Sequence, residues 1–523
     1  MSLFLGLDSS TQSLSATVID TDRGAITAEE SVVFGRDLPE FGAPNGVLPH
    51  PDPAVKHSDP LLWVAALERL LAALRARGVA LDAIRGVSGA GQQHGSVYLA
   101  RPLSALGGWR ADVALVDQVR PLLSRPTAPI WMDSSTGAEC AEIATAIGGS
   151  ARAVALTGSR MIERFTGPQI RRFAKLEPAA YAATAEIHLV SSFMASILIG
   201  TTAPIDRGDG AGMNLLELAT GEFHPELLEA TAPGLGAKLP RVVPSATVVG
   251  ELCDYFVARH GFARGTPVVA FTGDNPSSLV GMGATAPGTA VVSLGTSDTV
   301  FAAMSAPRTD PRGFGHVFGN PAGGFLSLIC FANGSLAREQ IAKRVGLDWP
   351  AFERAILEQT RPGSDGNVLL PLFVPEITPR LRVTEPVLDG SPSFTAWGEP
   401  ALAARAAVEA QAVSMRLHSA WIGQQLERVL VTGGASRNRG ILRVLADVFQ
   451  AEMQPLSVAN SSALGAAVRA ANAVEGLGFD ALQRAFSARD VSLAVTPDPG
   501  ATGVYESLAD RVARMLARLE AGA

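Results

Sequence analysis

The chain has 523 residues, 47% of them apolar, and its 43 Lys and Arg against 50 Asp and Glu leave a net charge of −7. That length exceeds what one hydrophobic core usually serves, so two large globular domains, or three, are expected. No basic stretch is dense enough to track a phosphate backbone, which argues against a nucleic-acid partner.

The chain opens on an apolar, strand-like run, Leu3 to Leu7, without the basic segment and cleavage site of a secretory signal, so a cytoplasmic location is expected. This run leads through Asp8-Ser9-Ser10-Thr11-Gln12-Ser13 into Leu14 to Ile19, a pattern that predicts a hairpin with a hydroxyl-rich turn. Ser58 as N-cap, Pro60 in the first turn, the stripe Leu67, Leu70, Leu71 and Leu74, and Gly78 as stop predict a helix. Ile84 to Val87 reads as a strand delivering the loop Ser88-Gly89-Ala90-Gly91-Gln92-Gln93-His94-Gly95. The most membrane-like stretch, Ile187 to Gly200, contains His188, Ser191, Ser192 and Ser196 and falls short of the roughly 20 apolar residues that cross a bilayer, so a buried helix is expected. After the Pro-containing stretch Pro240 to Ser245 a fresh helix-then-strand pattern begins, and the domain boundary is placed near residue 248, giving domains 1–248 and 249–523. Thr289 to Leu294 then leads through Gly295-Thr296-Ser297-Asp298 into Thr299 to Ala303, repeating the first hairpin's design; the two are expected to face each other across a cleft. Near the C-terminus Val429 to Val431 runs into Thr432-Gly433-Gly434-Ala435-Ser436-Arg437-Asn438 and a helix with Ile441, Leu445, Val448 and Phe449 on its apolar side. Strand and helix signals alternate throughout, the pattern of α/β domains. Cys140, Cys253 and Cys330 are odd in number and form no C-x-x-C pair, which suggests reduced, buried thiols.

Triphosphate requires backbone N–H donors, short hydroxyl side chains and a cation over the bridging oxygens. Both hairpin turns, Ser10-Thr11-Gln12 and Gly295-Thr296-Ser297, offer the first two, and Asp8 at the end of the first strand is placed to hold Mg²⁺ directly or through water, unless it only caps the turn. No Walker A signature is present, which disfavours a P-loop fold. The Gly433-Gly434 turn before a helix N-terminus suits the adenosine and α-phosphate region, although a plain strand-to-helix turn uses the same residues. Candidates for sugar hydroxyls sit at strand ends: Gln93, His94, Arg164, Asp274 and Asn275. For His94 the competing account is a turn histidine bonded to backbone, and for Arg164 a surface pair with Glu163 or Glu177. The carboxylate that accepts the hydroxyl proton is assigned to Asp209, flanked by Gly208 and Gly210, with Asp206 as the rival that could instead cap the loop.

Together these residues resemble the FGGY carbohydrate kinase family, from about residue 3 to about 475. The likeness rests on Ser88-Gly89-Ala90-Gly91-Gln92-Gln93-His94-Gly95-Ser96, Trp131-Met132-Asp133-Ser134-Ser135, Glu163-Arg164-Phe165-Thr166-Gly167, Gly208-Asp209-Gly210-Ala211-Gly212-Met213-Asn214, Gly273-Asp274-Asn275-Pro276 and Ser293-Leu294-Gly295-Thr296-Ser297-Asp298, and is strongest toward the vertebrate-like branch that acts on D-xylulose. The resemblance implies an α/β fold of two ribonuclease-H-like domains with the active site in an interdomain cleft. It also implies ATP and Mg²⁺, Asp8 as the magnesium-side acid, Asp209 as general base, and His94, Arg164, Asp274 and Asn275 on the sugar. Gly434, Ala435 and Asn438 would line the ATP site with Trp349 beside the adenine, unless that tryptophan belongs to a core or hinge. Ribulose, ribitol or glycerol are alternative acceptors, and an actin-like nucleotide switch or an inactive sugar sensor is the alternative from another class. The expected partner is a small sugar, with no nucleic acid and no membrane; a homodimer is left open. Residues 109–126 and the tail after Val474 match no pattern.

Overall fold

The first apolar run forms the strand Leu3–Ser9, which turns at residues 10–12 and returns antiparallel as Ser13–Asp20, with Leu5 opposite Val18 and Asp8 opposite Ser15. Both strands are buried along nearly their whole length, so they read as continuous apolar runs rather than alternating ones. Ala25–Val33 adds antiparallel to Ser13–Asp20, while Ile84–Gly91 lies parallel on the other side of Leu3–Ser9. Pro267–Val269 and Thr272–Gly273 both pair parallel with Ile84–Gly91, and Val248–Glu251 closes the edge antiparallel to Pro267–Val269. Three chain segments therefore end side by side: Asp8 and Ser9, Gly91 leading to Gln93, and Gly273 leading to Asp274. Carboxyl ends of parallel strands are where open α/β sheets take their ligands.

A computed structural model describes residues 2–456, 460–487, 489 and 491–522. Its chain divides into two compact units. The first comprises Met1–Thr285, Val317–Phe325 and Val458–Ser487, and the second Ala286–His316, Leu326–Ser457 and Ala488–Ala523. The boundary near residue 248 is thus corrected: Val248–Glu251 and Pro267–Val269 are strands of the first sheet, and their hydrogen bonds carry the first unit on to residue 285. The second unit repeats the plan. Thr289–Leu294 turns into antiparallel Asp298–Met304 and pairs parallel with Arg428–Thr432, which pairs parallel with Glu452–Pro455.

Helix Ser461–Glu475, distant in sequence, packs in the first unit where Gly6 lets its backbone approach: a Cβ on Gly6 would overlap Ala463 O and stand 3.0 Å from Ala467 Cβ. The expected helix after residue 58 spans Pro60–Ala76, and its cap is Asp59, whose side chain accepts from Leu61 N at 2.8 Å, rather than Ser58. Residues of Val190–Ile199 are all buried, as expected of a core helix. Among the described residues no helix is long and apolar enough to cross a membrane. The three cysteines are free, Cys140 buried and the other two half-buried.

Candidate active site

Asp206 and Asp209 occupy the junction between the short strand Ile205–Asp206 and the helical turn Arg207–Gly210. The Asp206 side chain is committed to structure. Its Oδ1 accepts from Asp209 N at 2.8 Å and from Thr272 Oγ1, and its Oδ2 from Ser245 Oγ. Asp206 is therefore the cap that the sequence left as a rival, and Asp209 is released for other work. Asp209 is 0% exposed; Oδ2 accepts from Ser191 Oγ at 2.5 Å, while Oδ1 is buried with no hydrogen-bond partner among the described residues. Burial pushes its carboxyl well above the ordinary range, the neighbouring Asp206 and Asp274 carboxylates push the same way, and the Ser191 bond opposes them. Gly273 leaves Oδ1 open: a Cβ there would stand 3.0 Å from that oxygen and 2.5 Å from Gln93 Cγ.

Gln93, His94, Asp274 and Asn275 follow the same strand ends, while Arg164 comes from the turn before the helix Thr166–Leu176. Gln93 Oε1 accepts from Asn275 Nδ2 at 2.8 Å, its Nε2 is buried without a partner among the described residues, and Asn275 N donates to Asp274 Oδ1 at 2.9 Å. His94 takes a left-handed backbone (φ 72°), stacks on Phe165 with ring centroids 4.1 Å apart, and sets Nδ1 2.8 Å from Gly212 O. A carbonyl only accepts, so Nδ1 carries the proton. Burial and the nearby Arg164 charge push the His94 pKa down to about 3, so the ring is neutral and Nε2 is an acceptor. The backbone bond offered as the competing account of His94 is present, and it occupies Nδ1. Arg164 is half-buried with its guanidinium 5.9 Å from the Phe165 ring centroid. The segment before it is pinned by Asn214, which accepts from Ile162 N at 3.3 Å and donates to Arg160 O at 3.2 Å. Glu177, offered as its surface partner, pairs with Arg125 at 3.5 Å.

Asp8 and Asp274 line a pocket of about 310 Å³ with Ser10, Ser13, Ser15 and Ser461. Asp8 Oδ2 accepts from Ser10 Oγ at 2.6 Å, and Oδ1 is buried with no partner among the described residues. Burial raises Asp8 to about 6; burial, with the Asp8 charge beside it, raises Asp274 to about 7. An orphaned carboxylate oxygen in a hydroxyl-lined pocket fits a Mg²⁺ that keeps most of its waters. No group of three or more His, Cys, Asp or Glu among the described residues is arranged to hold a metal alone. Of the turn residues expected at phosphate, Ser10 donates its hydroxyl to Asp8, Thr11 accepts from Trp131 Nε1 at 2.8 Å and keeps its own O–H to give, and Gln12 is exposed.

The second unit carries the other turn and the glycine pair. Thr296 and Ser297 are exposed at the tip, Gly295 O accepts from Ser335 N at 2.8 Å, and Asp298 is held from below by both terminal nitrogens of Arg338 at 2.7 and 2.9 Å. Gly433 has φ 92°, and a Cβ there would overlap the Leu294 backbone, so this turn lies directly against the hairpin. A Cβ on Gly434 would meet nothing within 4 Å, which leaves the backbone of Gly434 and Ala435 approachable. Asn438 is the N-cap of Arg439–Phe449, its Oδ1 accepting from Ile441 N at 3.0 Å. Trp349 is 40% exposed and opens the helix Trp349–Arg354, whose Glu353 accepts from Arg439 N at 2.8 Å. The Trp349 ring lies 5.3 Å from that of Phe352.

Sequence reasoning missed Ser191, Ser245 and Thr272. Ser191 was visible as a polar residue in an apolar helix, but its partner lies 18 positions away.

The N-terminal domain profile of the FGGY family of carbohydrate kinases matches residues 3–281, and the C-terminal domain profile matches residues 290–474. The chain is 41% identical to a xylulose kinase of Rattus norvegicus over 98% of this chain and 96% of that protein, and 38% identical to xylulose kinase 2 of Arabidopsis thaliana over 90% and 87%. Its fold is similar to the crystal structure of xylulose kinase from Rhodospirillum rubrum, with a TM-score of 0.81, 24% identity and 99% of each chain covered. The chain belongs to the FGGY family of carbohydrate kinases.

Proposed function

We propose that this chain transfers the γ-phosphate of ATP to a hydroxyl of D-xylulose, with Asp209 as general base. The observation that carries the reading is the Asp209 carboxylate, fully buried, with one oxygen held by Ser191 and the other free beside Gln93 and Gly273. Proton transfer to such a positioned group typically contributes about 10²–10⁴-fold in rate. Gln93, His94, Arg164, Asp274 and Asn275 orient the sugar, His94 through Nε2 as acceptor and Gln93 through Nε2 as donor. As the sugar oxygen bonds to phosphorus, its proton moves to Asp209 Oδ1 and the bond from phosphorus to the β–γ bridging oxygen breaks, releasing ADP. Asp8 would hold Mg²⁺, directly or through water, and the ion would neutralise charge on the transferring phosphoryl group. Thr11, Thr296 and Ser297 offer hydroxyls to phosphate. The backbone of Gly433, Gly434 and Ala435 and the helix capped by Asn438 suit the adenosine side, with Trp349 as an adenine neighbour.

The xylulose kinases of rat and Arabidopsis support D-xylulose as acceptor. A coupled ADP-release assay across D-xylulose, ribulose, ribitol and glycerol, with a no-sugar control, tests it. Release dependent on D-xylulose and exceeding that with the other three is expected. Equal release without sugar would contradict kinase activity, and preference for another acceptor would reassign the substrate.

A further inference from the structure

Val190–Ile199 contains three buried serines, and their hydroxyls do different things. Ser192 Oγ accepts from Leu189 N at 3.1 Å and closes the first turn, while Ser196 Oγ donates to Ser192 O at 2.6 Å along its own helix. Their other contacts stay in the adjoining chain, Ser192 Oγ 3.3 Å from His188 Nδ1 and Ser196 Oγ accepting from Ala203 N at 2.8 Å, the short-range use of serine in and beside a helix. Ser191 Oγ instead leaves the helix and donates to Asp209 Oδ2 at 2.5 Å, with both side chains 0% exposed. The serine is held in place from behind. Gly91, last residue of the strand leading to Gln93 and His94, lies so close that a Cβ there would stand 2.7 Å from Ser191 N. The first turn of a ten-residue helix also presents its positive dipole end, which favours a carboxylate.

We propose that Ser191 is the positioning residue of the general base: its hydroxyl fixes Oδ2 of Asp209 and so commits Oδ1 to the sugar proton. This rests on the assignment of Asp209 as base. An aspartate carboxylate rotates about χ2 between two nearly equivalent settings unless something distinguishes its oxygens. Here the distinction is a donor on one oxygen and open space beside Gln93 and Gly273 on the other. The same donor also stabilises the ionised form. Against it stand burial, Asp206 on the same loop and Asp274 at the start of its helix; Arg469, buried beyond Asp206, adds positive charge there. Ser191 therefore sets both which oxygen faces the sugar proton and how strongly the upward push of burial on the base is opposed.

The test is Ser191→Ala, which alanine's helix propensity makes compatible with folding. A lost hydrogen bond to a charged group corresponds to about 10–100-fold, expected here in kcat, because the bond acts on the base. The KM for D-xylulose should change less than about threefold, and the acid limb of the kcat/KM profile should move to higher pH. Ser191→Thr, which keeps the hydroxyl, should restore most of kcat and return the limb toward the wild-type position. Asp209→Asn is measured alongside. If Asp209→Asn is inactive while Ser191→Ala keeps wild-type kcat and an unmoved acid limb, the role of Ser191 is overturned and the base assignment stands. If Asp209→Asn keeps near-normal turnover, the base assignment fails and the role of Ser191 falls with it. Loss of kcat in Ser191→Ala with a raised KM and no movement of the limb would mark a packing role and would also overturn the proposal.

Discussion

Two neighbouring aspartates, Asp206 and Asp209, look interchangeable in the sequence, and what separates them is how many donors each has collected. Asp206 receives three hydrogen bonds from Asp209 N, Thr272 and Ser245, so it has no oxygen to offer; Asp209 receives one and keeps the other oxygen free. His94 is a second case in which the partner defines the chemistry. With Nδ1 bound to Gly212 O and the pKa near 3, the ring neither titrates in the working range nor donates through Nε2. His94→Ala should therefore raise the KM for D-xylulose about tenfold with a smaller effect on kcat. It should leave the pH profile's acid limb in place, since His94 contributes no ionisation there; steady-state kinetics between pH 5 and 9 check both. The candidate residues were legible because they lie at strand ends in small-residue loops, but the choice between Asp206 and Asp209, and the part played by Ser191, depend on partners 18 to 66 positions away.

Among the elements, helices Asp274–Gly281 and Ser461–Glu475 meet at glycines on both sides. A Cβ on Gly465 would overlap Ser277 O and stand 2.9 Å from Gly281 N, and one on Gly281 would stand 2.8 Å from Gly465 N. No flexible side chain absorbs such an overlap, because the obstructing atoms are backbone. Gly465→Ala should cost at least about 1–3 kcal/mol, the usual scale of overpacking, read as a lower urea midpoint with an unchanged slope. This contact also carries Asp274 at the first residue of its helix, so the same variant should weaken sugar binding. The two hairpins were legible from apolar runs broken by hydroxyl-rich turns, and their bounds differ from the expected ones by two residues at most. The cap at Asp59 rather than Ser58 was a choice between adjacent good capping residues that only geometry resolves. The placement of Ser461–Glu475 against Gly6 was not legible at all, since a helix's own periodicity says which face is buried and not against what.

On the scale of the molecule, the duplicated plan was readable from the repeated hairpin, but the division of the chain was not. The first unit is assembled from three segments, and a linear boundary near residue 248 cuts its sheet. The tail that matched no pattern forms the helix Thr502–Ala521 in the second unit, where Tyr505 donates to Glu409 Oε1 at 2.9 Å. Glu409 is 0% exposed and also accepts from Gly363 N, Ser364 Oγ and Arg405, so the tail completes a buried charged network. Tyr505→Phe should lower stability by about 1.5–3 kcal/mol, the range for hydrogen bonds to charged groups, when unfolding is followed in urea. In the proposed reaction a buried carboxylate takes the sugar's proton. Turnover of Asp209→Asn with saturating ATP and D-xylulose, alongside calorimetric measurement of sugar binding, tests this most directly. Sugar binding within a few-fold of wild type and a loss of kcat of about 10²–10⁴-fold are expected; wild-type turnover in that variant would contradict the account.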